Sequence, residues 1–589
     1  MDLAVTPLNN VAQQYLDHLE RLGRFLKQLP LPEMAAEELV YAQALVRNYI
    51  ARHLERRHSD NWHLAVIGGG GAGKSSVVNI LLGENLAETN PQAGYTRHPT
   101  AFCSTPPADS FFPSTLRAVS AFVPGNIDED IYDIRLRTRN ILPNEVIVWD
   151  NSDVTTIHAA HYAHRVLEVL GLADAVIYVA SAQRYNDRVP SEYVAILAKS
   201  GKPIVTCLTK VPPDQVNIVV SHFRHEVLRP LTQQINIPCV IIPYQPVQQL
   251  ANPSATESYR RELLDTILPW FHNRQELRKR TYLEILTYLE AKEHQWLEII
   301  RPELEAFEEW QRVIEAQRQM ILSRYRDEFL AQERLAIFDE AMLRLIELLE
   351  IPGVGRWMSL ALNVLRLPWR GAKALWHLLS GEPEHAGPLQ SERETLSKAL
   401  ETALGQLWRE VQSRRERSLF WQRLTMALDP GAQWQTKMLS MLEKYFSEYE
   451  IERKHLIETI ACNIYSNLQA RPTILNALRG IKLTIEVGSI ASILVSAGIN
   501  VYDAVLIPLA TSMIQGLTEF LGSQYVETQR EGARQTQLAL VDKKVVQPIF
   551  SLVQNVDAIA EWRQLNLIFA ELSNLRKQLS QAFSRPSRN

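Results

Sequence analysis

Eight consecutive residues near the beginning of the chain have the composition of a loop that binds phosphate groups. Residues 68–75 read Gly-Gly-Gly-Gly-Ala-Gly-Lys-Ser, which fits the pattern G-x-x-x-x-G-K-[ST]. Glycines let backbone N–H groups surround a phosphate chain, and the lysine and serine can bind the terminal phosphates and Mg²⁺. We predict that a nucleoside triphosphate binds here through Gly68, Gly69, Gly70, Gly71, Ala72, Gly73, Lys74, Ser75 and Ser76.

The stretches on either side of this loop are those that the motif requires. The apolar run 63–67 before the loop predicts a strand, and the apolar-rich stretch 76–82 after it predicts a helix. The N-terminus of that helix would add a partial positive charge beside the phosphates. This context favours a phosphate-binding loop over a glycine-rich turn that carries Lys-Ser by chance.

Two further positions could complete a Mg²⁺ site. The apolar run 146–150 ends in Asp150, and a carboxylate at such a strand end helps to hold Mg²⁺, usually through water. In the polar stretch 90–100, Thr100 or alternatively Thr96 could contact Mg²⁺ and the γ-phosphate. We predict Ser75, Thr100 and Asp150 as metal-binding residues, and Lys74, Thr100 and Asp150 as the catalytic set.

A later strand end carries residues that could read a base. Leu208-Thr209-Lys210 is similar to the motif [NT]-K-x-D, whose aspartate accepts two hydrogen bonds from guanine. Pro212 occupies the position of that aspartate, and the nearest acid is Asp214, two residues later. We predict Thr209, Lys210 and Asp214 as base-side residues, and the choice between GTP and ATP stays open.

The pattern of hydrophobic residues predicts two kinds of structure. Apolar runs at 63–67, 145–149, 174–180, 203–208 and 238–242 predict buried parallel strands, and the alternating stretch 132–139 predicts a half-exposed edge strand. The predicted fold is therefore an α/β P-loop domain, a mostly parallel sheet with helices on both faces, joined to a large all-α helical region. The predicted segments are an N-terminal helical segment at 1–60, the P-loop domain at 61–272, a helical stalk at 273–350, a basic, tryptophan-rich amphipathic segment at 351–390 and a C-terminal helical region at 391–589.

The order of these motifs across residues 61–245 resembles a GTPase domain of the translation-factor-related class. Arg97-His98-Pro99-Thr100 is similar to the R-P-T-T first-switch sequence of Era-like and dynamin-like members. The flanking helices and a late apolar segment at 484–522 resemble bacterial dynamin-like GTPases. The resemblance implies GTP as substrate, Mg²⁺ as cofactor, γ-phosphate hydrolysis, and nucleotide-dependent movement coupled to membrane association or self-assembly.

One departure from the family pattern bears on catalysis. The second switch is normally D-x-x-G, but here it reads Asp150-Asn151-Ser152-Asp153, and Val154 follows where many relatives keep a glutamine. A carboxylate at position 153 would repel a γ-phosphate unless it pointed away or faced a metal ion. Hydrolysis is therefore expected to be slow, or to use Arg97, His98, His158 or a group from a partner.

Two helical segments could contact a membrane. Residues 351–380 combine four basic residues with three tryptophans and no acid, which suits an anionic interface or a core-facing helix pair with arginines that extend to water. Within residues 484–522, the stretches 487–502 and 504–518 on either side of Asp503 contain no charged residue, yet each is shorter than the roughly 20 residues that span a bilayer. The alternatives for this second segment are a membrane-inserted tip and a pair of buried helices.

Composition limits the remaining possibilities. The net charge of −4 over 589 residues gives no overall signal for nucleic-acid binding. Cysteines are far apart in sequence, which argues against a zinc site or a disulfide framework and favours reduced thiols. They are Cys103, Cys207, Cys239 and Cys462. The N-terminus lacks the pattern of a signal peptide, so we expect a cytoplasmic protein. If it binds lipid, we expect it to do so as a peripheral protein at the inner face of the cell membrane.

The favoured hypothesis is a Mg²⁺-dependent, dynamin-like GTPase that could form homo-oligomers. Two alternatives stay open: a soluble, nucleotide-gated switch that recruits a protein and hardly hydrolyses, and an ATP-binding P-loop protein.

Overall fold

The structure is a computed structural model, and it divides into two compact units, Met1–Pro302 with Gln564–Asn589, and Glu303–Arg563. The described residues are 6–32, 34–54, 61–89, 98–105, 112–119, 130–153, 159–229, 237–250, 252–332, 334–351, 388–428, 434–480 and 507–584.

The first unit contains an eight-stranded sheet in the order β3-β4-β2-β5-β1-β6-β7-β8. Its strands are β1 Trp62–Gly68, β2 Thr100–Cys103, β3 Arg117–Val119, β4 Ile131–Leu136, β5 Val146–Asp150, β6 Ala175–Ser181, β7 Ile204–Val211 and β8 Cys239–Pro243. The β2–β5 pair is antiparallel, and all other neighbours in this sheet are parallel. The five predicted apolar strands are confirmed as β1, β5, β6, β7 and β8.

The predicted edge position of residues 132–139 is wrong. They contain most of β4, which lies between β2 and the short strand β3. β3 pairs with only Ile131, Tyr132 and Asp133, so the rest of β4 has no neighbour on that side within the described residues. The alternating pattern therefore reflects partial coverage by a three-residue strand, which carries no distinctive pattern of its own.

The helices of the first unit precede its first strand, connect its strands and follow its last strand. They are α1 Thr6–Leu26, α2 Ala35–Leu45, α3 Ala51–Leu54, α4 Lys74–Leu82, α5 Ala159–Leu172, α6 Arg188–Lys199, α7 Val216–Phe223, α8 Val247–Leu250, α9 Glu257–His272 and the first part of α10 Arg274–Tyr325. Single π-helical turns follow α2, α7 and α10. The predicted helical pair before the sheet is confirmed, with the break that Pro30 and Pro32 impose.

This N-terminal pair packs on the sheet domain through α5. A Cβ atom on Gly171 of α5 would lie 2.7 Å from the Cβ atom of Ala44 in α2, so only glycine permits this approach. Buried Asn48 donates a 3.2 Å hydrogen bond to the carbonyl oxygen of Glu168, also in α5. The first helices are therefore an integral layer of the first unit.

The described residues of the second unit lie mainly in helices. They are the rest of α10, α11 Ala336–Leu348, α12 Pro388–Arg414, α13 Leu419–Ala427, α14 Trp434–Gln469, α15 Pro472–Arg479, α16 Ile507–Leu521, α17 Ser523–Val541 and α18 Gln547–Gln554. The last helix, α19 Ala560–Ser584, begins in this unit and continues into the first. At its centre the fully buried Glu392 accepts hydrogen bonds from Tyr325 at 2.5 Å and Tyr449 at 2.6 Å. A buried carboxylate needs such donors, so this cluster fixes how α10, α12 and α14 meet.

The two candidate membrane segments lie mostly outside the described residues. This applies to 352–387 of the basic segment and to 481–506 of the apolar one. The remainder of the apolar segment forms α16, whose Leu509, Met513 and Leu517 are buried, and α16 contacts α11 and α17. For 507–521 the structure thus favours packing within the second unit. Among the described residues, no helix has the length and apolar character needed to cross a membrane.

A buried polar cluster at the amino ends of β1 and β6 joins the sheet to α10. Asp174 accepts hydrogen bonds from Arg278 of α10 at 2.7 and 2.9 Å and from the backbone N–H of His63 at 2.9 Å. Burial would raise the pKa of Asp174, but the charge and hydrogen bonds of Arg278 outweigh it and hold that pKa at about 2. Burial lowers the pKa of His63 to about 3. Its Nδ1 atom accepts a 3.1 Å hydrogen bond from Trp149, which requires that this nitrogen carries no proton.

This burial predicts sensitivity to acid. The pKa of His63 is about 3 in the folded chain, whereas an unfolded histidine titrates near 6.5, so below that pH the unfolded chain binds the extra proton and stability is lost. Between pH 8 and pH 5 His63 alone should remove about 2 kcal/mol from the free energy of unfolding. We expect the free energy of unfolding of His63→Gln to fall by correspondingly less over this interval, as measured by urea unfolding at both pH values. The exposed His272→Gln is the matched control, and an equal acid response in all three proteins would contradict the assignment.

Candidate nucleotide-binding site

The predicted site residues come together at one edge of the sheet. β1, β5 and β7 lie in the order β5-β1-β6-β7, and because they are parallel their carboxyl ends share an edge. The glycine loop follows β1, Asp150 ends β5, and Thr209 and Lys210 lie near the end of β7. Ligands of open α/β sheets bind outside the carboxyl ends of the strands.

The glycine loop needs glycine for two separate reasons. A Cβ atom on Gly68 would lie 2.1 Å from the carbonyl oxygen of Val179 in β6, which no side chain permits. Gly73 precedes α4 with a φ of +93°, a left-handed conformation that favours glycine. These constraints turn the chain sharply from β1 into α4, so the first N–H groups of α4 face the loop. Gly69, Gly70 and Ala72 are buried within it, whereas Gly71 is exposed and Ser76 is half-buried on the first turn of α4.

Lys74 lies at the first position of α4, and its side chain folds back over the loop. It is 5% exposed, and its Nζ donates a 3.2 Å hydrogen bond to the carbonyl oxygen of Gly69. Nζ also forms an ion pair with Asp153, which follows β5. The lysine is therefore positioned as the phosphate-binding lysine of such a loop, with a carboxylate as its present partner.

Ser75 and Asp150, two of the predicted metal-binding residues, contact each other directly. The Ser75 hydroxyl donates a 2.7 Å hydrogen bond to Oδ2 of Asp150. Oδ1 of the same buried carboxylate has no hydrogen-bond partner among the described residues. Burial raises the pKa of Asp150 to about 6, although Ser75 and Lys74 act to lower it. A buried carboxylate oxygen without a donor beside a serine hydroxyl matches the oxygen ligands that Mg²⁺ prefers.

Thr100 lies beside this pair. It is the first residue of β2, half-buried, and its Cα is in register with that of Asp150 on the neighbouring strand β5. Directly opposed residues on adjacent strands point to the same face of a sheet. The structure therefore brings three predicted metal-binding residues, Ser75, Thr100 and Asp150, into one neighbourhood. Thr96, the alternative, lies outside the described residues.

Thr209 and Lys210 contact the glycine loop from the other side. Oγ1 of Thr209 donates a 2.6 Å hydrogen bond to the carbonyl oxygen of Ala72, and Nζ of Lys210 donates a 2.7 Å hydrogen bond to that of Gly71. Lys210 has a φ of +55°, and the pairing of β7 with β8 shifts register between Thr209 and Val211, so β7 has an irregularity at this point. Asp214 lies further on, exposed in the one-turn 3₁₀ helix Pro213–Gln215. Thr209 and Lys210 are thus connected to the loop by hydrogen bonds, and Asp214 lies four residues after Lys210.

A hydrogen bond connects the predicted first-switch stretch to α5, the helix after the predicted second switch, and only one of its two residues was predicted. His98 lies in the predicted first-switch stretch and is 5% exposed. Its Nδ1 atom accepts a 3.1 Å hydrogen bond from Arg165 of α5. Arg165 is 1% exposed and also donates a 3.2 Å hydrogen bond to Asp130. His98 was a candidate for hydrolysis, but Arg165 gave no signal because arginine in an amphipathic helix is usually exposed. Arg97 and His158 lie outside the described residues.

Comparison with known proteins agrees with this geometry. Residues 63–210 match the family model described as 50S ribosome-binding GTPase. A search of curated proteins returned no match.

Solved structures similar to the chain include two bacterial dynamins. One, "an oligomerised bacterial dynamin pair" described as providing "a mechanism for the long range sensing and tethering of membranes", has 12% identity and a TM-score of 0.33, covering 95% of each chain. The other, "LeoA bacterial dynamin GTPase from ETEC", has 15% identity and a TM-score of 0.24, covering 98% of this chain and 97% of its own. At these scores the domain assignment rests on the family model and the loop geometry.

The metal site leads to a direct test. Asp150→Asn removes the carboxylate charge, and we expect the enhancement of nucleotide affinity by Mg²⁺ to fall by about 10- to 100-fold. Affinity without Mg²⁺ should change much less. Titrations of labelled GTP with Mg²⁺ and with EDTA measure both quantities. Asp187→Asn, an acid paired with Arg184 elsewhere in the domain, is the control. An undiminished Mg²⁺ effect in Asp150→Asn would exclude Asp150 from the site.

Proposed function

Because residues 63–210 form a P-loop GTPase domain, we propose that this protein binds GTP with Mg²⁺ and hydrolyses it. The observation that carries the proposal is the convergence of two sets of side chains on one glycine loop. Lys74, Ser75 and Asp150 lie on the phosphate side. Thr209 and Lys210 attach the end of β7 to the same loop.

The arrangement supports γ-phosphate transfer to water. Lys74 would place positive charge on the β- and γ-phosphates, where negative charge develops in the transition state. The N–H groups at the start of α4 would add their partial charge to the same oxygens. Bound Mg²⁺, held by Ser75, Thr100 and indirectly by Asp150, would neutralise phosphate charge. These groups position the phosphate chain for in-line attack by water.

Guanine is the base that the residues favour. In the motif [NT]-K-x-D the Thr-Lys pair supports the base-binding turn, and the hydrogen bonds of Thr209 and Lys210 to the loop are consistent with that role. Pro212 replaces the base-reading aspartate. Asp214 is our candidate for reading guanine, since it is the nearest acid and is exposed just after the turn.

The α4–α9 contact offers a path from the site to the helical region. Lys74 and Ser75 begin α4, and its buried Val77, Val78 and Leu81 share a core cluster with Leu263, Ile267 and Phe271 of α9. Only Asn273 separates α9 from α10, which continues into the second unit. We propose that a shift of α4 on nucleotide binding or hydrolysis reaches the helices through α9 and α10.

Nucleotide binding and phosphate release test the activity directly. The wild-type protein should bind GTP more tightly than ATP and release phosphate from GTP, and Lys74→Ala should weaken GTP binding by at least about 100-fold, because a charge-assisted phosphate contact is lost. Lys279→Ala, which removes an exposed lysine on α10, should change neither quantity. Tight binding without turnover would favour the alternative of a switch that recruits a partner. Equal or tighter ATP binding would overturn the guanine assignment.

Membrane association through the basic segment 351–380 is a second proposal. It is supported by Arg356, Arg366, Arg370 and Lys373 interleaved with tryptophans, in a stretch without acidic residues. We expect flotation with vesicles that contain anionic lipid, and much less with neutral vesicles or after replacement of these four basic residues by serine. A protein that stays at the bottom of the gradient with and without GTP would favour a switch that does not bind lipid.

A further inference from the structure

The unusual acid of the second switch is directly attached to the phosphate-binding lysine. Asp153 occupies the position where the D-x-x-G pattern has glycine, and its carboxylate forms an ion pair with Nζ of Lys74. Both side chains are buried, at 6% and 5% exposure respectively. A buried pair of this kind is strongly attractive because water screens it little.

The ammonium of Lys74 is the group that a bound triphosphate also requires. It donates to the carbonyl oxygen of Gly69 and to Asp153, so its donors are directed along the loop that would surround the phosphates. A carboxylate and a terminal phosphate at one ammonium would be like charges in a poorly screened site, and they repel. Binding of a triphosphate is therefore favoured when Asp153 leaves Lys74.

The segment that joins Asp150 to Asp153 is suited to such a movement. Asn151 and Ser152 are fully buried, yet the side-chain amide of Asn151 and the hydroxyl of Ser152 have no hydrogen-bond partners among the described residues. Buried polar atoms without partners are costly, so this conformation depends on compensating contacts such as the Lys74–Asp153 pair. Loss of that pair would lower the barrier to rearrangement of the segment.

We propose that Asp153 is an internal competitor of the nucleotide's terminal phosphate. Its carboxylate holds Lys74 until the γ-phosphate replaces it, and the departure of Asp153 rearranges residues 151–153. The acid thus acts as an autoinhibitory contact that a triphosphate releases more effectively than a diphosphate, which lacks the terminal charge. This inference rests on the proposed GTP binding.

Removal of the competing charge should tighten nucleotide binding. We expect Asp153→Asn, which keeps the size of the side chain, and Asp153→Gly, which restores the D-x-x-G pattern, to bind a non-hydrolysable GTP analogue about tenfold more tightly or better. Affinity for GDP should rise less, so the ratio of the two affinities should increase. Asp187→Asn should leave both affinities unchanged. Fluorescence titrations at fixed Mg²⁺ and salt concentrations measure all of these values.

The outcomes separate this inference from the proposed function. Binding by the wild-type protein with unchanged or weaker affinity in both Asp153 variants would overturn the inference alone. Binding by the variants but not by the wild-type protein would support it strongly. No binding by any of them would overturn the proposed function and the inference with it.

Hydrogen exchange provides a second measurement that does not depend on any Asp153 variant. In the wild-type protein the GTP analogue should change exchange in the peptide covering residues 150–153 more than GDP does. With Lys74→Ala, which lacks the ion pair from the start, this peptide should respond equally to GTP analogue and GDP when both are raised to saturating concentrations. An identical response to GTP analogue and GDP in the wild-type protein would contradict displacement by the γ-phosphate.

Discussion

A lysine ammonium removed from water must be matched by anions or oxygen atoms, and the site is organised around this requirement at Lys74. The glycine loop supplies the carbonyl oxygen of Gly69, and the end of β5 supplies Asp153. Asp150, three residues earlier, is held by Ser75, the neighbour of Lys74. The charge of Lys74 thereby connects the glycine loop to the residues after β5.

The sheet makes this arrangement possible, because parallel strands deliver their following loops to a common edge. The opposite edge of the sheet attaches it to α10. There Asp174, His63 and Arg278 form a buried cluster that joins β1 and β6 to α10. Tyr15 of α1 and Arg576 of α19 both bind Glu293 further along α10, so the two ends of the chain are attached to the same helix within the first unit. The candidate nucleotide site at one edge and the helix attachment at the other are thus separated by the length of the strands, and α4 contacts α9 beside the sheet.

Much of the fold could be predicted, and the failures have identifiable causes. Long apolar runs with β-branched residues predicted β1, β5, β6 and β7, because strands buried on both faces have mostly apolar residues. The same kind of run predicted β8, although β8 is the last strand of the sheet and alternates buried and half-buried residues. The short strand β3 was missed because three residues that are mostly exposed carry no period, and its absence from the prediction led to the wrong edge assignment for β4. Residues 74, 75, 150, 209 and 210 were predicted from motif order and do meet in space. Arg165 was not predicted, since its burial depends on His98 and Asp130, which are distant in sequence.

The sequence by itself determined which chemical groups are present and on which kind of element each would lie. Spacing along the chain reflects local geometry, and for that reason the strand–loop–helix order of residues 62–82 could be predicted from the sequence alone. Only the tertiary structure decided which of these groups face one another. It turned Asp153 from an expected source of repulsion into the ion-pair partner of Lys74, because that contact depends on how β5 lies beside β1 and on where the chain turns after Asp150. β1 and β5 pair although more than 80 positions separate the paired residues, so the contact depends on residues that are distant in sequence.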